Sequence, residues 1–425
     1  MNRYEEYKTV DIPWIKEIPN HWKLERHKNI LELKKEIIGK DSHKIDVLTL
    51  SVTGIRQKKG KNIGKVPETY DTYQIINKND LVLCLFDLDV SAVFSDVSNY
   101  IGIISPAYSR FEINSGYPKF YKYVFDKIFQ DRSYKVHSKS VRYTVSNENF
   151  LALTNIVPPI EEQIQIANYL DWKINEIDRL IQIEKNKKQQ IEQVLQFNID
   201  YRLQVIDDKT GIRLKYLANH VTRRSDTYKR YIALENIISK KGIMNISFKE
   251  LGYSNDGIMA EKNMVIFGKL RPYLAKAIVI EDDAICSSEF IVLESIKMNP
   301  LYLKYLMLSS SFVDLVNQST YGTKMPRANA ESILNIKINI PTIDKQIETV
   351  NEIQSIENTT NYTLGIIDKK INHLKQLKQS LISEVVTGQI DIRNVVIPEY
   401  EKVSQVEIDE EYEDETLENE ELEVE

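Results

Sequence analysis

The side chains with most to offer chemically are basic, and they recur in short stretches. Arg56-Gln57-Lys58-Lys59-Gly60-Lys61-Asn62-Ile63-Gly64-Lys65 carries five positive charges, two glycines and no acid. Arg132 to Arg142 adds Lys135, His137 and Lys139 beside Tyr134 and Tyr143. Later in the chain come Arg223-Arg224 with Lys229-Arg230, then Lys269 and Arg271, then Lys324 and Arg327. Lysine and arginine neutralise phosphates, while arginine, asparagine and glutamine meet base edges in bidentate pairs, so nucleic-acid contact is the chemistry these stretches suit. An ordinary solvated loop carries the same residue types. Recurrence in two regions of the chain favours Arg56–Lys65 and Tyr321–Arg327 as contact segments.

Signals for catalysis fail one by one. Gly60-Lys61-Asn62-Ile63-Gly64-Lys65-Val66 has glycine and lysine but neither the spacing nor the final Ser/Thr of a phosphate loop. Pro158-Pro159-Ile160 lacks the preceding Asp or Asn and the following aromatic of an adenine-methyltransferase site. The six histidines are scattered, without paired metal-ligand spacing, and no serine or cysteine sits in a nucleophile motif. Glu32-Leu33-Lys34 and Asp171-Trp172-Lys173 imitate one fragment of a nuclease motif, but 28% of this chain is charged and such triplets arise by chance. The expectation is no enzyme, no cofactor and no metal.

What must position the basic stretches is a chain written twice, with a period near 183. Val157-Pro158-Pro159-Ile160-Glu161-Glu162-Gln163-Ile164 recurs as Ile340-Pro341-Thr342-Ile343-Asp344-Lys345-Gln346-Ile347. Each copy opens a long helical pattern, with proline and acid where a helix start favours them. Ile174, Ile177, Ile181, Ile191 and Leu195 follow the first at spacings of three and four, interrupted by Glu184 and Lys188. Leu364, Ile367, Ile371, Leu374 and Leu381 follow the second, interrupted by Lys378. Such spacing predicts a coiled-coil seam, with a break foreseeable near Asn358, Thr359, Thr360 and Gly365.

The segments ahead of the helices correspond too. Arg26-His27-Lys28-Asn29-Ile30 parallels Arg213-Leu214-Lys215-Tyr216-Leu217, Asp46–Leu50 parallels Arg230–Leu234, and Lys78–Leu83 parallels Lys262–Ile266. They read as short apolar strands between turn clusters, with helices around Pro118–Phe129 and Pro300–Val316. The fold expected is mixed α/β: two globules separated by two long antiparallel coiled-coil helices. The boundaries expected are 1–158 for the first globule, 159–204 for the first helix, 205–341 for the second globule, 342–393 for the second helix and 394–425 for an acidic tail.

That tail governs the formal charge of −6. From Glu399 to Glu425 there are fourteen acids and one lysine, so residues 1–398 hold 55 basic against 48 acidic residues and are mildly basic. A tail of this composition buries too little apolar surface to order itself. No segment has the apolar length of a membrane span and the N-terminus shows no leader pattern, so a cytoplasmic location is expected. Cys84 and Cys286 sit in apolar runs far apart, which reads as two buried thiols.

Taken in order, these pieces resemble the specificity subunits of type I restriction-modification systems. Ile12-Pro13-Trp14-Ile15-Lys16-Glu17-Ile18-Pro19-Asn20-His21-Trp22 is similar to the opening of many of them, and the two proline-glutamine hinges to the start of their spacer regions. So is Leu381-Ile382-Ser383-Glu384-Val385-Val386-Thr387-Gly388 to their ending. Gly322-Thr323-Lys324-Met325-Pro326-Arg327 resembles their glycine-basic segment, whereas its first copy, Ser138-Lys139-Ser140-Val141-Arg142, lacks the glycine. The resemblance runs to about Arg393. It implies a non-catalytic reader of double-stranded DNA whose two recognition domains each contact half of a split target. It further implies helices that fix the separation and dock methyltransferase subunits, two of them, with restriction and translocase subunits in a complete system. A coiled-coil scaffold that binds protein, and a subunit serving a methyltransferase without a nuclease, are the other readings. Contact residues expected are Arg56, Lys58, Lys59, Lys61, Lys139 and Arg142 in the first domain, and Arg223, Arg224, Lys269, Arg271, Lys324 and Arg327 in the second.

Overall fold

The computed structural model describes residues 2–51, 54–58, 69–88, 95–138, 143–203, 211–225, 227–322 and 325–402. Of these, 2–183 with 371–402 form one compact unit and 184–370 the other, so each long helix contributes to both.

In the first unit, short apolar runs bounded by turn residues become antiparallel strands. Leu31–Lys34, Ser109–Ile113, Leu81–Leu83 and Ser95–Val97 lie side by side in that order. Leu81 and Leu83 point to the main core, which gathers Trp22, Phe111, Phe120, Phe125 and Phe150. Val82 and Cys84 alternate to the opposite face, where Leu48, Leu50, Ile55, Ile76 and Ile104 form a smaller cluster. That smaller cluster supports the hairpin of Leu48–Ser51 with Gly54–Gln57 and the pair Gln74–Ile76 with Gly102–Ile104. The helix Pro118–Gln130 starts on proline and buries Phe120, Tyr121, Val124, Phe125 and Ile128.

The second unit repeats this plan. Ala218–Val221, Phe290–Ser295, Val265–Gly268 and Ala277–Val279 are antiparallel neighbours in that order, matching the first unit strand for strand. Asn79 and Asn263 precede equivalent strands and both adopt positive φ, 72° and 66°, which the short amide side chain tolerates. His27–Asn29 and Leu214–Tyr216 are equivalent single 3-10 turns. The pair Lys23–Arg26 with Thr154–Val157 has its counterpart in Ile212–Arg213 with Lys337–Ile338. One expected helix differs: the stretch from Pro300 is two helices, Pro300–Leu308 and Ser310–Gln318. They are separated by the fully buried Ser309, whose extended backbone ends one while its hydroxyl caps the next.

The repeated glutamine has a mechanical role. Buried Gln163 donates to the Pro158 carbonyl at 2.8 Å and accepts the Tyr117 backbone N–H at 2.8 Å. Gln346 does the same with Pro341 at 2.9 Å and Asn299 at 2.8 Å. Tyr117 and Asn299 are the residues immediately before the helices Pro118–Gln130 and Pro300–Leu308, so each latch ties a long helix to the helix of its own globule.

The long helices are Ile160–Arg202, 43 residues, and Ile343–Val386, 44 residues. The second runs unbroken through Asn358–Gly365, where a break was foreseeable; Thr359 and Thr363 hydrogen-bond back to the carbonyls of Ser355 and Thr359 and leave the helix intact. In the first unit Lys378 Nζ meets both oxygens of Asp178 at 2.8 Å. In the second, Lys370 meets Glu184 at 2.7 Å, Lys188 meets Asp368 at 2.7 Å and Arg202 meets Glu352 at 3.2 Å. In the second unit rising numbers on one helix face falling numbers on the other, so the pairing there is antiparallel. Ile177, Leu364, Ile367 and Ile371 are buried, and Ile174, Ile181, Ile191, Leu195, Leu374 and Leu381 partly so, which places all ten expected seam residues on the inner faces.

Candidate nucleic-acid interface

In the second unit three loops meet at one end of the four-stranded sheet. Val265–Gly268 runs into Lys269, whose N–H donates to the Glu289 carbonyl at 2.7 Å and whose carbonyl accepts the Ala328 N–H at 2.9 Å. Arg271, at φ 46°, donates its N–H to the Pro326 carbonyl at 2.8 Å. Tyr321 and Arg327 exchange backbone hydrogen bonds of 3.1 and 3.0 Å and close a tight loop. Gly322 sits there at φ +89°, where a Cβ would come within 3.1 Å of the Met325 carbonyl oxygen. Three of the sequence-predicted cations, Lys269, Arg271 and Arg327, are thereby brought into one loop cluster; Lys324 lies outside the described residues.

Electrostatics bind this cluster further. Arg327 Nη2 meets Glu289 Oε1 at 2.8 Å. Burial lowers the pKa of Lys269, Glu289 opposes that, and the nearby charge of Arg327 lowers it again. Burial also lowers the pKa of His220, and Lys269 adds to the effect. Tyr273, Tyr321 and Met325 on the same loops are exposed. Cations interleaved with exposed rings are suited to phosphate and base contact. Glu289 and His220 had no motif in the sequence, and become neighbours of Lys269 only through the sheet.

The first unit has the same hook with different residues. Val145 donates its N–H to the Leu85 carbonyl at 2.9 Å, as Ala328 does to Lys269, and Asp87 at φ 50° stands where Arg271 stands. This junction therefore lacks the three cations. Its basic groups come from elsewhere: Arg132 donates to the Leu88 carbonyl at 3.2 Å and Lys135 lies 4.0 Å from the Tyr143 ring centroid. Tyr134, by contrast, is a core residue. Arg56 lies on the strand Gly54–Gln57 and the exposed Lys58 directly follows it. Lys59, Lys61, Lys139 and Arg142 lie outside the described residues.

Arg223 and Arg224 are exposed and matched by acids, Arg223 by Glu261 and Arg224 by Asp256 at 3.0 Å. Arg230 lies over the Tyr253 ring at 4.4 Å and Lys229 is 3.6 Å from Asp283. The charge of that set is largely compensated within the unit. Cys84 and Cys286 are buried free thiols, and burial pushes Cys286 up to about 12. Among the described residues no group of three His, Cys, Asp or Glu is disposed to hold a metal ion, and no helix is long and apolar enough to cross a membrane.

Known proteins resemble this arrangement. A profile of the type I restriction modification DNA specificity domain matches residues 212–408. The type I restriction enzyme EcoDI specificity subunit of Escherichia coli is 23% identical over 150 residues, 33% of this chain and 34% of that one. The type I restriction enzyme MjaVIII specificity subunit of Methanocaldococcus jannaschii is 23% identical over 273 residues, 56% of this chain and 62% of that one. The matched stretches thus span about a third and about three fifths of these relatives. A solved structure concerned with complex assembly and conformational transition of the type I R-M system shares the fold, with a TM-score of 0.64 at 12% identity over 88% of this chain and 99% of that one. Residues 212–408 thus carry a type I restriction modification DNA specificity domain, and the chain as a whole is similar to the type I specificity subunits.

Proposed function

We propose that this chain reads a bipartite, asymmetric DNA target for a type I complex, one half-site per globule, and performs no chemistry itself. The family is the non-catalytic recognition component of that complex. The observation that carries the reading is the duplicated unit: the same strands and the same loop hook, once with Lys269, Arg271 and Arg327 and once with Leu85, Asp87 and an adjoining Arg56–Lys58 strand. One scaffold with divergent loops suits two different half-sites.

Double-stranded DNA, two methyltransferase subunits and, in a complete system, restriction subunits are the partners in this reading, and the cytoplasm is its location. The domain limits are those of the sequence, with 159–204 and 342–393 as spacers. A 43-residue helix is about 65 Å long, against about 34 Å per turn of duplex, so the helices have the length to separate two readers by more than one turn.

Co-expression with the neighbouring methyltransferase, followed by genome-wide mapping of modified adenines, tests the proposal. The expected motif is split and non-palindromic. A continuous or perfectly palindromic motif refutes the two-reader assignment, and DNA binding without sequence preference in competitor DNA favours the scaffold reading.

A further inference from the structure

The first unit contains a half-buried ion cluster, centred on the buried Asp96, whose two acids the second replaces with hydrocarbon. Asp96, buried on the edge strand Ser95–Val97, accepts the Ile55 N–H at 2.7 Å through Oδ2 and the Val97 N–H at 2.8 Å through Oδ1, and pairs with Lys122. Asp126, one turn along the helix from Lys122, accepts from Ser95 Oγ at 3.3 Å. Gly54 has φ +113°, and a Cβ there would lie 2.3 Å from Asp96 Oδ2. Only glycine lets the hairpin seat on this carboxylate. The hairpin is the one that leads into Arg56 and Lys58.

Strand register and the two glutamine latches identify the matching positions in the second unit. Asp96 opposes Val82 as Ile278 opposes Ile266. Counting from Pro118 and Pro300, Lys122 matches Lys304 and Asp126 matches Leu308. Lys304 there lies 3.9 Å from the Tyr305 ring centroid. The scaffold is built with Ile and Leu at the two acidic positions, so the fold does not require the acids. A buried ion cluster is commonly no more stabilising than apolar residues of similar volume, so stability does not account for it.

We propose that Asp96 is a positioning residue for DNA reading: with Gly54 and Lys122 it fixes the hairpin that presents Arg56 and Lys58 to the first half-site. This rests on the reading of that strand as a DNA contact, and the test separates the two. In the complex with its methyltransferase, three variants are compared by the methylated motif and by fluorescence-monitored unfolding in urea: D96I/K122M/D126L, which puts the second unit's Ile and Leu at the two acidic positions and removes the lysine they would leave unpaired, G54A, and R56A. The triple variant is expected to unfold no earlier than wild type yet lose about tenfold in discrimination at one half-site, the other half unchanged, as for a lost charge-assisted hydrogen bond. G54A is expected to weaken the same half-site. Unchanged discrimination in G54A, or a triple variant that loses both half-sites together, overturns the inference. If R56A leaves both half-sites intact while G54A still weakens one, Arg56 is not the contact and Asp96 positions another part of the hairpin.

Discussion

Replacing Gln163 by leucine tests whether the repeated glutamine is the joint between a long helix and its globule. Leucine keeps most of the volume and removes both polar contacts, leaving the Pro158 carbonyl and the Tyr117 N–H without their partner. A hydrogen bond contributes about 1 kcal/mol net, and a buried group left unpaired costs about 1–3 kcal/mol, so two such groups imply a loss of about 2–6 kcal/mol. The position before the helix matters as well. Tyr117 supplies no side-chain cap, whereas Asn299 in the second unit accepts from the N–H groups of Leu301 and Tyr302. The first helix start therefore depends more heavily on its glutamine, and Gln163→Leu should cost more than Gln346→Leu. Trp14, Trp22 and Trp172 all lie in the first unit, so tryptophan fluorescence in urea reports that unit by itself, which avoids treating a two-unit chain as one transition. A fluorescence midpoint for Gln163→Leu equivalent to less than about 0.5 kcal/mol of destabilisation would refute the latch, because losing even one hydrogen bond should exceed that figure.

Burial holds the pKa of His27 down to about 3, with its ring between the Phe150 carbonyl and the Tyr134 hydroxyl. A histidine with a depressed folded pKa binds protons more readily when unfolded, so its contribution to stability is lost as pH falls from about 6.5 towards 3. His27→Leu, which copies Leu214 of the second unit, should flatten that acid arm in urea titrations across this range; an unaltered arm would show that other groups govern it. Arg327→Ala should reduce the slope of log affinity against log salt by about one and leave the first half-site's motif unchanged, as read by filter binding at several salt concentrations. Inserting seven residues after Gln190 alone should disturb the antiparallel register, whereas matched insertions there and after Gly365 add about 10 Å, roughly three base pairs, to the strut. Methylation mapping should then show a longer spacer between unchanged half-sites; altered bases with an unchanged spacer would sink the ruler model.

The duplication was legible because the residues that do the joining recur: proline to open the helix, glutamine to latch it, and Lys-Asn ahead of an apolar strand. Seam residues were equally visible, since spacings of three and four leave few other faces to bury. Loop chemistry was visible only as composition. Arg223, Arg224 and Arg327 read alike in sequence, yet their matching acids, Glu261, Asp256 and Glu289, arrive from more than thirty residues away. Asp96 gave no signal at all, because its partners Ile55 and Lys122 are assembled by sheet pairing and by a helix crossing the strand edge. The helix break at Ser309 was hidden for a related reason: Ser309-Ser310-Ser311 lies between two apolar helical runs and reads as a polar patch on one helix until the Ser309 hydroxyl is seen capping the next segment.

The polar residues that interrupted the seam carry the information the apolar ones lack. Isoleucines and leucines at heptad spacing pack almost as well after a slide of one heptad, so hydrocarbon alone leaves an antiparallel pair with several registers. Glu184 is buried, and hydrogen bonds from Lys370 and then Lys187 hold its carboxyl below the usual range. Sliding the second helix by seven residues in one direction sets Lys188 near Lys375 instead of Asp368; the other direction sets Glu184 near Thr363 and Asp178 near Ile371. Each slide therefore trades an ion pair for a like-charge contact or an uncompensated buried carboxylate. A strut used as a ruler needs one length rather than greater strength. Asp178–Lys378 in the first unit and Glu184–Lys370 with Lys188–Asp368 in the second supply that by excluding the alternatives.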